Sequence, residues 1–216
     1  AYPPELWKQP GEKQPNRAGF ARAGAYLNAV GAQDYGRPLV LACAADLADS
    51  TNISGFGKEW GGFKGHGWYR REAGDKGCPS GTILPQEITE FTNSGMMCGL
   101  ASVNFSERPL EEWRGYFGAC STYGSFSYLK YGPMRLFSQA AQDSQIKLGR
   151  VLWVASHSGP ETAEDSRTHF GIFSPGVTSL FPRGHVVNLH PWEANEVPVV
   201  LAAALGTGIP ILVLHL

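Results

Sequence analysis

Two imidazoles, His157 and His169, and the adjacent carboxylates Glu164 and Asp165 fall within thirteen residues, directly after the apolar run Val151-Leu152-Trp153-Val154-Ala155. Imidazole and carboxylate side chains together hold hydroxyls and move protons near neutral pH. An apolar, β-rich run that empties into polar residues reads as a buried parallel strand ending in a loop. In open α/β sheets that edge is where ligands bind. The segment Ser156-His157-Ser158, followed six residues on by Glu164-Asp165-Ser166-Arg167-Thr168-His169, is therefore a candidate site for a polyhydroxylated or phosphorylated substrate. The same residue types also make an ordinary solvated loop, so the cluster by itself leaves both readings open.

Two further groups have chemical potential. Glu90 lies near the start of a helical pattern, where a carboxylate favours the helix dipole; burial against an apolar face would instead raise its pKa and keep it protonated. Tyr123 and Phe126, three positions apart, are expected on one face at a helix start, where they stack on a flat heterocycle or simply fill core.

The elements that must position these residues alternate in the βαβ manner. Strands are expected at 38–43, 83–84, 116–121, 150–156, 185–189 and 209–214. Helices are expected at 17–30, 87–103, 125–146 and 193–205, the third kinked or restarted by Pro133. Within 87–103, Ile88, Phe91, Gly95, Leu100 and Val103 are expected to share one face. The fold expected is an α/β three-layer sandwich, a mostly parallel sheet of about six strands with helices on both faces. Residues 1–14, polar and proline-rich, read as a linker, and 15–216 as one domain.

Composition narrows the partners. A net charge of -1 offers no long-range attraction to nucleic acid or anionic membrane, so neither is expected. No run of residues approaches the length of a membrane span, and the first residues lack the apolar segment of a secretory signal. Cys43, Cys78, Cys98 and Cys120 show neither CxxC spacing nor pairing with histidine, which reads as free thiols in a reducing cytoplasm and no metal site. Residues 51–81 form a glycine- and aromatic-rich excursion, with Phe56, Trp60, Phe63, His66, Trp68 and Tyr69, expected to be functional or to pack against something outside the chain.

Taken together, these residues resemble the pyrimidine-binding domain of the transketolase family, which uses thiamine diphosphate. Ile88-Thr89-Glu90-Phe91 followed by Cys98-Gly99-Leu100-Ala101 resembles the family's glycine-aliphatic-arginine-glutamate turn and later asparagine-glycine pair; Glu87 would place twelve residues instead of nine before Gly99. Ser121 to Phe126 resembles its Thr-Phe-x-x-Phe segment. The loop resembles its Thr-His-Asp-Ser-x-x-x-x-Glu-Asp-Gly-Pro-Thr-His. Asp46-Leu47 and Ser50 resemble its Ala-Asp-Leu-x-x-Ser, and Arg17 its early phosphate-binding arginine.

The resemblance implies a role for each. Glu90 would face the aminopyrimidine, with Tyr123 and Phe126 against the ring. Asp165 and His169 would contact sugar hydroxyls, and His157 a distal phosphate. Asp46, Ser50, Arg17 and His190 would complete the substrate site. Three departures stand out: His190-Pro191 replaces arginine-proline, Ser166-Arg167 replaces glycine-proline, and Ser158 replaces aspartate. Arg167 is expected to restore the charge lost at His190. The family's diphosphate-binding signature, Gly-Asp-Gly with later paired asparagines, has no match, and Ala73-Gly74-Asp75-Lys76-Gly77 is not that pattern.

The chain would therefore hold only the pyrimidine end of thiamine diphosphate. A Mg or Ca ion and the diphosphate would belong to a partner domain or subunit, in a homodimer or a split heteromer acting on a sugar or sugar phosphate. The activity implied is transfer of a two-carbon ketol unit between sugars, inert in the isolated domain. Two alternatives remain. Thr168 to Phe173 also resembles deoxyxylulose-phosphate synthases, and a non-catalytic α/β assembly or regulatory module fits the missing half-site. A generic nucleotide-binding domain lacks the glycine-rich phosphate loop it would need.

Overall fold

The computed structural model describes residues 2–45, 47–58, 81–84, 88–156 and 174–216. Five strands, β1 (Val40–Ala44), β2 (Phe117–Tyr123), β3 (Val151–Ser156), β4 (Val186–Leu189) and β5 (Ile211–His215), form one sheet in the order β1-β2-β3-β5-β4. Every pairing is parallel. Parallel neighbours need crossovers, and helices supply them: α2 (Glu90–Ser102), α3 (Tyr131–Asp143), α4 (Ser174–Thr178) and α5 (Glu196–Gly206), with α1 (Asn16–Tyr35) leading into β1. The expected strand at 83–84 contributes one parallel bridge, Ile83 to Ala42, so the sheet has five strands.

Successive side chains on each strand enter different cores, as the two-residue repeat of a strand requires. Val40, Ala42, Ala44, Ala119, Leu152, Val154, Leu212 and Leu214 pack with Phe20 and Ala23 of α1 and Val197 and Leu201 of α5. Cys43, Cys120, Val151, Trp153, Ile211 and Val213 pack with Met97 and Ala101 of α2 and Met134 and Phe137 of α3. The result is the three-layer sandwich expected from the alternation of elements.

Two helices differ from their sequence patterns. The expected 125–146 helix is a 3-10 helix, Gly124–Lys130, followed by α3. Pro133 is the third residue of α3, inside the first turn, where its missing N–H breaks no helical bond. In α2 the face expected to be apolar is turned outward: Ile88, Phe91 and Val103 are exposed. The buried face is Glu90, Asn93, Ser94, Met97, Cys98 and Ala101. Polar and small residues lie inside because β2 approaches closely there. A Cβ built on Gly118 would stand 2.6 Å from the Met97 carbonyl oxygen, so no larger residue fits beneath α2 at that point.

Asn28 joins three elements. Its Oδ1 accepts from the N–H groups of Leu39 and Val40 at 3.0 and 2.8 Å, and its Nδ2 donates to the carbonyls of Val40 and Phe56 at 3.0 and 2.8 Å. At the other end of the sheet, the segment read as a linker lies against the domain. Leu6 is buried, and Lys8 exchanges backbone hydrogen bonds with the Asn195 side chain.

Gly118→Ala should destabilise the protein by about 1–3 kcal/mol, because β2 and α2 cannot both keep their places. Gly99→Ala on the open face of the same helix, where an added Cβ meets nothing within 4 Å, should stabilise by about 0.5–1 kcal/mol. Urea unfolding of the two variants measures both; equal effects would remove the steric account.

Candidate functional site

The carboxyl ends of the five strands share one edge, and the polar residues of interest gather along it. Glu90 is the first residue of α2, following the non-helical Thr89. Its side chain is 5% exposed, and Thr122 of β2 donates to its Oε1 at 2.9 Å. Thr122 reaches it because it shares the α2-facing side of β2 with Gly118 and Cys120. Asn93, one turn further along α2, is fully buried, and among the described residues neither its Oδ1 nor its Nδ2 has a hydrogen-bond partner.

Beneath this turn lies Lys130, the last residue of the 3-10 helix and 0% exposed. Its Nζ donates to the carbonyls of Cys120 on β2 and Val154 on β3, at 2.9 and 3.3 Å. Burial pulls its pKa down, and Cys120, Cys43 and Glu90 act in the opposite direction. The thiols of Cys43 and Cys120, paired across β1 and β2, are pushed up chiefly by burial and so stay neutral at physiological pH. Cys43, Cys98 and Cys120 are free, as the spacing implied, and Cys78 lies outside the described residues.

Tyr123 is the last residue of β2, not a helical residue, and precedes the 3-10 helix in which Phe126 stands third. Both rings are half-buried. The Tyr123 hydroxyl lies 3.3 Å from Oγ of Ser50, in the turn after β1, and beside that contact Thr51 and Ser121 share a 2.8 Å hydrogen bond. The turn carries Leu47 at φ 29°, a left-handed conformation that a branched residue holds only at a cost in strain. Glu90, Tyr123, Phe126 and Ser50 thus converge on the ends of β1 and β2.

Arg17 and His190 lie at the other end of the same edge. Asn16 donates to the Pro191 carbonyl at 3.0 Å, holding the start of α1 beside the end of β4, and Nε of Arg17 is buried without a partner among the described residues. The exposed His190 ring stacks on His215 of β5, 4.1 Å between centroids and 5° between planes. His215 Nε2 lies 3.0 Å from Asn188 Oδ1, and Asn188 Nδ2 donates to Thr178 at 2.8 Å. Ser156, also without a partner for its buried hydroxyl among the described residues, ends β3 between the two groups. Asp46, His157, Asp165, Arg167 and His169 lie outside the described residues.

The outline of this architecture has known counterparts. The chain superposes on the transketolase of Campylobacter jejuni subsp. jejuni NCTC 11168 with a TM-score of 0.65 and 16% identity, over 94% of this chain and 26% of that one. It superposes on the transketolase from Leishmania mexicana with a TM-score of 0.63 and 17% identity, over 91% and 24%. The fold is transketolase-like. The chain spans about a quarter of the length of these two transketolases. No protein-family model matches the sequence, and no curated protein does. Among the described residues no helix is long and apolar enough to cross a membrane, and no group of three His, Cys, Asp or Glu side chains could hold a metal ion.

Lys130, Thr122, Asn93 and His215 escape a sequence reading. Lys130 stands in Tyr128-Leu129-Lys130-Tyr131, where nothing in the string tells an inward lysine from an outward one. His215 carried a weak signal, since the last residue of a buried strand lies at the ligand edge.

His215 also generates a pH dependence. Burial first, and the neighbouring His190 second, hold its pKa at about 4 against the ordinary 6.5. The folded chain therefore binds this proton less tightly than the unfolded chain. The resulting stability is complete above pH 6.5 and is lost as pH falls toward 4, a change of about 3 kcal/mol. Chemical unfolding at pH 7 and pH 4.5 should show this loss in the parent and a smaller one in His215→Gln; equal losses would assign the acid sensitivity elsewhere.

Proposed function

We infer that this chain is the pyrimidine-binding part of a transketolase-like enzyme that transfers a two-carbon ketol unit between sugars with thiamine diphosphate. One observation carries the reading: a buried glutamate opens a helix at the carboxyl edge of a transketolase-like fold, with Thr122, among the described residues, on one oxygen only. A carboxyl held this way keeps its second oxygen for a ligand, and burial strengthens whatever bond it makes there. The adjacent chemistry fits a flat, polar heterocycle. Tyr123 and Phe126 offer half-buried rings, and the Asn93 amide is a buried donor and acceptor awaiting a partner.

When bound, thiamine diphosphate supplies a carbon nucleophile that carries the two-carbon unit. The chain's own residues do the rest in this reading. Glu90 holds or gives up a proton at a ring nitrogen, with Thr122 fixing its rotamer. The aromatic pair orients the ring. Ser50, Arg17 and His190 serve the sugar side, a role the family resemblance also gives to Asp46, His157, Asp165, Arg167 and His169, which lie outside the described residues. His190 supplies a titratable donor in place of a permanent guanidinium, which suits a free sugar or a weakly held phosphate.

The reading also requires a second surface for the diphosphate and its metal ion. Beside Glu90 the outward residues are apolar: Ile88, Phe91, Tyr128 and Leu136 are all exposed, the last by 72%. Phe91 and Leu136 belong to the packed pair α2 and α3, and the Phe91 ring lies over Gly132, one turn before Leu136. Such a patch is read as the seat of the diphosphate-binding domain or subunit.

Glu90→Gln in the complete enzyme or assembly should lower turnover about 100- to 10,000-fold, the span of a lost general acid-base group; steady-state assay of ketol transfer measures it, and an unchanged rate removes this reading. Leu136→Arg should leave the fold intact and weaken association with the diphosphate-binding half at least about tenfold, as a charge in an apolar contact does. Analytical ultracentrifugation would show undiminished association if the patch has another use.

A further inference from the structure

His190 is exposed and yet held in place. The register that pairs Leu189 of β4 with Leu214 of β5 brings the next residues along, His190 and His215, side by side on one face of the sheet. Their rings stack with 4.1 Å between centroids and 5° between planes. His215, 6% exposed, is itself fixed from behind. Its Nε2 lies 3.0 Å from Asn188 Oδ1, and that amide is oriented by the buried Thr178 of α4, whose hydroxyl oxygen accepts from Nδ2 at 2.8 Å. An amide oxygen accepts and never donates, so His215 carries its hydrogen on Nε2. Burial, and His190 after it, keep the ring neutral at pH 7. The backbone beside His190 is restrained as well, since Pro191 has a fixed φ and its carbonyl accepts from Asn16 of α1. Both ring nitrogens of His190 nevertheless remain without a hydrogen bond among the described residues.

A freely solvated histidine samples several rotamers, and a ligand that meets it must first fix one of them. We propose that His215 is a positioning residue for His190: locked by Asn188 and Thr178, it is the flat support that holds the His190 imidazole ready for an oxygen of the substrate. The proposal rests on the substrate-side reading of His190 given above. Its location agrees with that reading. Thr122, Ala155 and His215 pair in turn across β2, β3 and β5, so they form one row on one face of the sheet. Thr122, which holds Glu90, and His215 are thus two strand spacings apart, about 10 Å, with the small Ala155 between them. The histidine pair therefore suits the far end of a substrate, away from the carbon that reacts. A histidine serving the core alone would end its hydrogen-bond chain inside. Here the chain ends beneath an exposed imidazole whose nitrogens are unspent. The support comes from the plane and packing of the His215 ring, so another flat ring supplies most of it.

The test is a double-mutant cycle in the complete enzyme or assembly, with KM for the sugar and kcat read separately. His215→Ala should raise KM about two- to tenfold, the cost of fixing one free side chain on binding, and leave kcat within about twofold. His215→Phe, which restores a flat ring, should recover most of that loss. In a His190→Ala background His215→Ala should add nothing, because the residue it positions is gone. An equal rise in KM in that background, or a loss confined to kcat, overturns the proposal. Should His215→Ala fail to fold, Asn188→Ala on the edge strand β4, which frees the His215 ring to turn, takes its place in the cycle with the same outcomes. The ligand-free protein supplies a readout independent of ketol transfer. By NMR the His190 ring protons should carry an upfield ring-current displacement that disappears in His215→Ala and persists in His215→Phe. That displacement in a protein with no ketol-transfer activity would keep the support and discard the functional reading. Its absence, in an active enzyme whose KM ignores His215→Ala, would discard the support alone.

Discussion

Each strand of this sheet serves two cores at once, and the whole molecule follows from that alternation. Ala119 faces α1 and α5 while Cys120 faces α2 and α3; Leu152 and Trp153, Leu212 and Val213 divide in the same way. A sheet buried on both faces has no solvated surface on which to place chemistry. What remains open is the edge where the strands end. The polar residues accordingly stand in the last positions of strands or just after them: Thr122 and Tyr123 on β2, Ser156 on β3, His190 after β4 and His215 on β5.

The first turn of α2 shows a tension between packing and polarity. A helix that close to β2 must be thin, which admits Asn93, Ser94 and Cys98 to the interior and turns Ile88 and Phe91 outward. An apolar exterior and a polar interior invert the usual arrangement. Such an inversion costs stability in an isolated domain. It becomes favourable when a ligand satisfies the inside and a neighbouring protein surface covers the outside. Under the function proposed above, one bound state would satisfy both halves of the inversion together.

Much of the fold was legible because parallel strands announce themselves. Val151 to Ala155 and Ile211 to Leu214 are continuous apolar runs, and the helices between them leave little choice of topology. Boundaries moved by a few residues, and the 83–84 strand shrank to a bridge because only Ile83 meets Ala42. The orientation of α2 was not legible. Helical periodicity gives a face but not its direction, and the deciding fact, the approach of Gly118 to Met97, is a contact across the fold. For the site, the helix start at Glu90 could be read from the sequence, and the structure adds that the residue is buried there. Lys130 could not, since its partners are backbone carbonyls of strands that only the folded sheet brings within reach.

Asn28 has a consequence for how the chain folds. Four hydrogen bonds of its side chain link α1, the start of β1 and the Phe56 turn, all within 28 positions of the sequence. Most other ties between layers join residues far apart along the chain, whose closure carries a larger entropic cost. The Asn28 unit closes over a short stretch of chain, at a smaller entropic cost than ties between distant segments. A single buried amide thereby fastens the first helix, the first strand and the turn after it into one locally closed unit.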